Sequence, residues 1–94
     1  MNKTSNYYAL RDMVLDYGLS VIDHNLNGDV YMFIDYKDSD DINIAVYELD
    51  NEAVNLFVQR YDTDACEWKT LLDTVSLNPV RTFETILNYS ALNK

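Results

Sequence analysis

The dipeptide Asn27-Gly28 stands between two apolar segments and constrains the fold more than any other feature of the chain. A two-residue hairpin loop needs positive φ at both central positions, and Asn-Gly supplies this at little steric cost. The flanking segments, about Leu19–Leu26 and Asp29–Lys37, therefore read as two antiparallel strands in fixed register. Val21 must then pair with Ile34, and Asp23 with Met32.

Two acidic turns extend the argument. Asp38-Ser39-Asp40 leads into a third strand, about Asp41–Leu49, and Asp50-Asn51-Glu52 leads into a fourth, about Ala53–Tyr61. With three-residue loops at both turns, Ile34 pairs with Ile44 and Met32 with Val46, then Ile44 with Val58 and Val46 with Leu56. The separate loop choices agree on one face, with rows Val21–Ile34–Ile44–Val58 and Asp23–Met32–Val46–Leu56. Side chains alternate with period two, so a slip of one residue would scramble both rows. This face is expected to form the core.

The opposite face follows by geometry. Its rows read Ile22–Phe33–Ala45–Phe57, His24–Tyr31–Tyr47–Asn55 and Ser20–Asp35–Asn43–Gln59. Tyr31, Phe33, Tyr47 and Phe57 form an aromatic band across it. Left uncovered, such a band exposes on the order of a few hundred Å², enough to suggest a partner.

A helix is expected from about Ser5 to Tyr17, capped by Thr4 or Ser5 and closed by Gly18 in the left-handed C′ position. Tyr7, Leu10, Val14 and Tyr17 share one stripe of it. At the other end Asn78 caps a second helix with Pro79 at its first position, and Val80, Phe83, Ile86, Leu87 and Ser90 share a face. Residues 65–76 carry two signals. Thr70, Thr74 and Val75 favour a strand. Trp68, Leu71, Leu72 and Val75 follow helical spacing, and Asp64 with Glu67 resembles a capping box. We take the segment as a fifth strand. The expected class is α+β: an N-terminal helix, an antiparallel meander of four or five strands, and a C-terminal helix packed on one sheet face.

The 94 residues make one domain. A domain of this size buries only roughly 60–65% of its unfolded surface. In so small a core Trp68 is expected to serve as an anchor. Sixteen acidic residues oppose seven basic ones, for a net charge of −9. Direct binding to nucleic acid is disfavoured, because that affinity comes from neutralising phosphates with Lys and Arg. A basic partner is favoured. Cys66 is the single cysteine, so neither an internal disulfide nor a cysteine metal cluster can form. The longest apolar run, Val30 to Ile34, is far too short to span a membrane. The N-terminus reads as no secretory leader, and the expected location is the cytoplasm.

No catalytic, cofactor or metal motif stands out, and no cofactor is expected. Asp38-Ser39-Asp40-Asp41-Ile42-Asn43 begins like a calcium loop, but Ile42 sits where an oxygen ligand is needed and no glycine follows. His24 and Cys66 could pair as base and nucleophile only if the fold brought them together. The acidic turns carry more. In a meander, alternate turns lie at one end of the sheet, so Asp38, Asp40 and Asp41 share an edge with Asp62 and Asp64, roughly 10 Å away. Three readings compete there: solvated turn chemistry, a docking patch for a basic protein, and a weak divalent-cation site.

Two functions follow as expectations, neither of them enzymatic. One is an inhibitor that occupies the basic cleft of a nuclease or another nucleic-acid-binding protein, its carboxylates standing in for phosphates. In size, charge and α+β make-up the chain resembles phage anti-CRISPR and anti-restriction proteins and the immunity proteins of nuclease toxins, without sharing a motif with them. The alternative is an assembly or adaptor protein, a homodimer for instance, that associates through the aromatic face. The register itself is testable. Ile44→Asp should unfold the domain, since a small core cannot hold an unpaired charge. Circular dichroism of that variant checks it, and a stably folded protein would sink the register.

Overall fold

The structure is a computed structural model that describes residues 5–35 and 42–92. Helix α1 (Asn6–Tyr17) is followed by strands β1 (Ser20–Leu26), β2 (Asp29–Asp35) and β3 (Ile42–Glu48). A 3₁₀ turn at Asp50–Glu52 leads to β4 (Val54–Asp62), then β5 (Glu67–Ser76) and helix α2 (Pro79–Leu92). The five strands form one antiparallel sheet in chain order, so β1 and β5 are its edges. The fold is the expected α+β meander between two helices, and residues 65–76 supply a strand rather than a helix. Lys37 and Asp41, the expected outer bounds of β2 and β3, lie outside the described residues, as does Thr4.

The local signals act as their chemistry requires. Asn27 (φ 55°) and Gly28 (φ 87°) form the hairpin turn. The Ser5 hydroxyl accepts from the Tyr8 amide at 3.3 Å, capping α1. At the other end Gly18 (φ 107°) closes a Schellman motif, its amide donating to Leu15 and the Leu19 amide to Val14. The Asn78 side-chain oxygen accepts from the Arg81 amide at 3.2 Å and starts α2 directly before Pro79.

Pairing follows the expected register throughout: Val21 with Ile34, Ile34 with Ile44, Ile44 with Val58, and Asp23, Met32, Val46 and Leu56 in the neighbouring row. Met32, Ile34, Ile44, Val46, Val54, Leu56 and Val58 are buried beneath Tyr7, Leu10 and Val14 of α1 and Ile86 of α2. Asn6 ties the helical layer down. Its side-chain amide donates to the Glu52 carbonyl at 2.9 Å and to the Leu77 carbonyl at 2.8 Å, joining α1 to the turn before β4 and to the link before α2.

Three expectations need correction. Trp68 is 44% exposed rather than a core anchor, because it projects with its cross-strand partner Tyr61 from the sheet face away from the helices. Val80 is 53% exposed, whereas Thr82 and Ile86 are buried with Phe83 and Tyr89 beside them, so the inner face of α2 is turned from the one expected. Tyr17 is exposed at the end of its stripe, where it meets Phe83 edge-on at 5.9 Å.

Asp23 is the one charged residue in the two expected core rows. It lies at the β1 edge, where Arg11 of α1 clamps it with two bonds, Nε to Oδ1 at 2.9 Å and Nη2 to Oδ2 at 2.5 Å. The Arg11 guanidinium holds its carboxyl below the usual Asp range. A carboxyl depressed by folding adds stability above its unfolded value, and that stability is lost as pH falls through the folded value. The stability difference between wild type and Asp23→Asn should therefore be constant near neutrality, then shrink below about pH 4 and vanish in stronger acid. It should stay under about 1 kcal/mol, since water screens this half-exposed pair. Urea titrations at several pH values check it.

Candidate functional site

The face away from the helices is built by strand alternation. With Met32, Ile34, Val46 and Leu56 turned into the core, Tyr31, Phe33, Tyr47 and Phe57 must project from the other side. The helices send their buried side chains into the inner core, so neither covers this face. The four aromatic residues are half-buried, and the rings shield one another. Ala45 lies between Phe33 and Phe57 in its row and is 1% exposed, which on a face without a helix requires flanking side chains to close over it.

The rings form an ordered array. His24 stacks on Tyr31 with centroids 4.9 Å apart and planes at 11°, and Tyr31 stacks on Tyr47 at 5.0 Å and 26°. Phe33 meets His24 and Tyr31 edge-on at 5.1 and 5.7 Å. Farther along, Tyr61 and Trp68 are cross-strand partners on the same face, edge-on at 5.3 Å. Ile22 and Val75 add exposed apolar surface. The sequence pattern places His24 in the right row without assigning it a role, and it leaves Tyr61 and Trp68 off the face. Continuing the parity of Phe57 and Gln59 to Tyr61 finds that ring. Trp68 is hidden by a bulge at Leu71 that shifts the pairing of β5.

Electrostatically this face is one-sided. None of its described residues is Lys or Arg. Of the described cations, Arg11 lies on α1, Arg81 on α2, and Arg60 and Lys69 pair on the helix-facing side of β4 and β5. Asp73 stands on the aromatic face opposite Phe57.

At the acidic edge, Asp38, Asp40 and Asp41 lie outside the described residues. Asp62 and Asp64 sit where β4 turns into β5. Asp62 Oδ1 accepts from the amides of Asp64 at 3.0 Å and Ala65 at 3.2 Å, and its Oδ2 pairs with Lys69 at 2.9 Å. Lys69, helped by the Ala65 amide, holds the Asp62 carboxyl below its ordinary range. Asp62 thus serves the turn, while Asp64 is exposed.

His24 lies on β1 and Cys66 in the turn before β5, at opposite edges of the sheet, so roughly four strand spacings of about 5 Å separate them. Among the described residues no group of His, Cys, Asp or Glu could hold a metal ion. Tyr7, Tyr8, Arg11, Asp23, His24, Asn25 and Val30 line an open groove of about 300 Å³. Among the described residues the buried Tyr7 hydroxyl has no hydrogen-bond partner, and burial, with Asp23 nearby, raises its pKa. It keeps its proton at neutral pH and cannot act as a base there. No helix among the described residues is long and apolar enough to cross a membrane.

No protein-family model matches the chain, and no curated protein or solved structure shows significant similarity to it. The reading of the site rests on its geometry.

The aromatic face can be tested for self-association. Two copies of a −9 chain repel each other. Wild type and Phe33→Ser should therefore both be monomeric at low salt by light scattering. A wild-type dimer that Phe33→Ser dissociates would assign the face to self-association instead.

Proposed function

We propose that this chain is a non-enzymatic inhibitor that docks its uncovered aromatic face on a basic, nucleic-acid-binding protein such as a nuclease. The observation that carries the reading is the aromatic face itself, which no helix covers and which holds no Lys or Arg among its described residues, on a chain of net charge −9. The rings supply apolar contact area, and Tyr and Trp are the residue types enriched at interfaces. The surrounding carboxylates supply attraction to a surface evolved to hold phosphates. Bound there, the domain would exclude nucleic acid from the same cleft, with carboxylates partly standing in for phosphates. Its single free, exposed cysteine suits a reducing compartment, and we place the activity in the cytoplasm.

The acidic edge belongs to this reading as its long-range component. The last described residue of β2, Asp35, and the first of β3, Ile42, lie at the end of the sheet where β4 turns into β5. With Asp62 and Asp64 we group Asp38, Asp40 and Asp41, as the chain order of a meander expects. Replacing all five with Asn should leave the fold intact. An Asn side chain at the Asp62 position keeps an oxygen that can accept from the turn amides, and less like-charge repulsion remains. Association with a captured basic partner should slow about tenfold or more at low salt, while dissociation changes less. Added salt should slow the wild type in the same way. Stopped-flow comparison of the two proteins measures this. Equal association rates would reduce the five carboxylates to turn chemistry.

A further inference from the structure

Resting on that reading, we infer that the aromatic face carries a slot for an arginine side chain of the basic partner, between the ring of Tyr47 and the carboxylate of Asp73, over Asn55. The register places His24, Tyr31, Tyr47, Asn55 and Val75 side by side on five successive strands. The first three are rings stacked at 4.9 and 5.0 Å. These separations match the spacing between neighbouring strands, about 4.8 Å, so the ring planes stand across the row and their faces point along it. Both faces of Tyr31 are used, by His24 and by Tyr47. The second face of Tyr47 looks toward β4, where the row drops from a ring to the short side chain of Asn55.

Asn55 is held away from that ring. Its amide donates to Asp73 Oδ1 at 2.8 Å and to the Thr74 carbonyl at 3.0 Å, both on β5, which lays the side chain toward the sheet edge. A step about one strand wide therefore follows Tyr47. Asn55 floors it, and on the far side stand exposed Val75, at 59%, and Asp73.

A planar cation fits this step as the next member of the stack. A guanidinium stacks on an aromatic face and presents a fork of donors to a carboxylate, whereas a lysine ammonium is a compact, strongly hydrated point charge. A carboxylate has acceptor sites for several donors, so Asp73 can serve both Asn55 and an incoming guanidinium. The aliphatic stem of the arginine would lie along Val75. No described Lys or Arg of this chain projects from the face to fill the slot first.

The test uses a short arginine-glycine peptide and its lysine-glycine counterpart, titrated at low salt into isotope-labelled protein and followed by NMR. The arginine peptide should bind about two- to fivefold more tightly, the range of an exposed cation–π contact. It should shift the Asn55 side-chain amide signals and the Tyr47 ring signals. Tyr47→Leu and Asp73→Asn should each remove the preference. Asn55→Tyr, which fills the step with another ring, should do so too. The spectrum of each variant without peptide confirms its fold. Peptides that bind equally well and shift only the acidic turns would overturn the slot while leaving the basic-partner reading standing. Failure of both peptides to bind would overturn both.

Discussion

The burial of two aliphatic rows on one side of the sheet is the constraint on which the rest of the molecule depends. Met32, Ile34, Ile44, Val46, Leu56 and Val58 are all buried, each at alternate positions of its strand. Burying a side chain of this kind contributes about 1.5–3 kcal/mol. Exposing all six would cancel a typical net stability of about 5–15 kcal/mol. No register that turns these rows outward can survive. The aromatic residues between them then have no choice of side. Tyr31, Phe33, Tyr47 and Phe57 face outward because their neighbours must face inward, so the proposed docking face is a geometric consequence of the core.

The helical layer is smaller than the sheet it covers, and this inequality shapes the exposed surface. α1 lies over the sheet through Tyr7, Leu10 and Val14, and α2 rests against α1 and adds Ile86 to the same core. Asn6 fixes this layer by bonding two separate carbonyls. β5 is the outermost strand on that side, with Trp68 and Val75 exposed on the face away from the helices and Leu71 exposed at the edge. An open edge of ten residues would invite pairing with another chain. Two features of β5 oppose that. Thr70 pairs with Gln59 and Leu72 with Val58, so Leu71 is an extra residue that bulges the strand. Glu67, Lys69 and Asp73 also place charge along the edge. The exposed apolar surface is thereby directed to the sheet face rather than to the strand edge.

What could be read from the sequence was what short-range chemistry dictates. Asn27-Gly28 fixed one hairpin, the lengths of two acidic turns fixed the next two pairings, and Asn78-Pro79 fixed the start of α2. These signals gave the register of β1 to β4, and with it the membership of the aromatic face. The unread parts depend on longer-range facts. The register of β5 hinges on the bulge at Leu71, which no turn residue announces, so Trp68 could not be assigned to the outer face. The inner face of α2 is set by its docking on α1, which favours Thr82, Ile86 and Tyr89 over the more apolar Val80. The ion pair of Asp62 was hidden because Lys69 reaches Asp62 only once β5 pairs with β4.

The two components of the proposed interface act over different distances, which gives each a separate part in binding. At physiological salt a field of exposed carboxylates reaches only about 8 Å, yet within that range it orients an approaching basic surface and raises the encounter rate. It does little to hold a complex, because exposed ion pairs contribute at most about 1 kcal/mol each. The ring array works only on contact. Once its half-buried faces are sealed from water, they contribute apolar burial that salt does not screen. An acidic chain lacking such a face would bind many basic proteins quickly and release them quickly. A face lacking the charge would bind slowly, with no long-range preference for a cationic partner. Because alternation in the strands puts rings on one side while turns put carboxylates at the sheet ends, this fold can hold both without either disturbing the core.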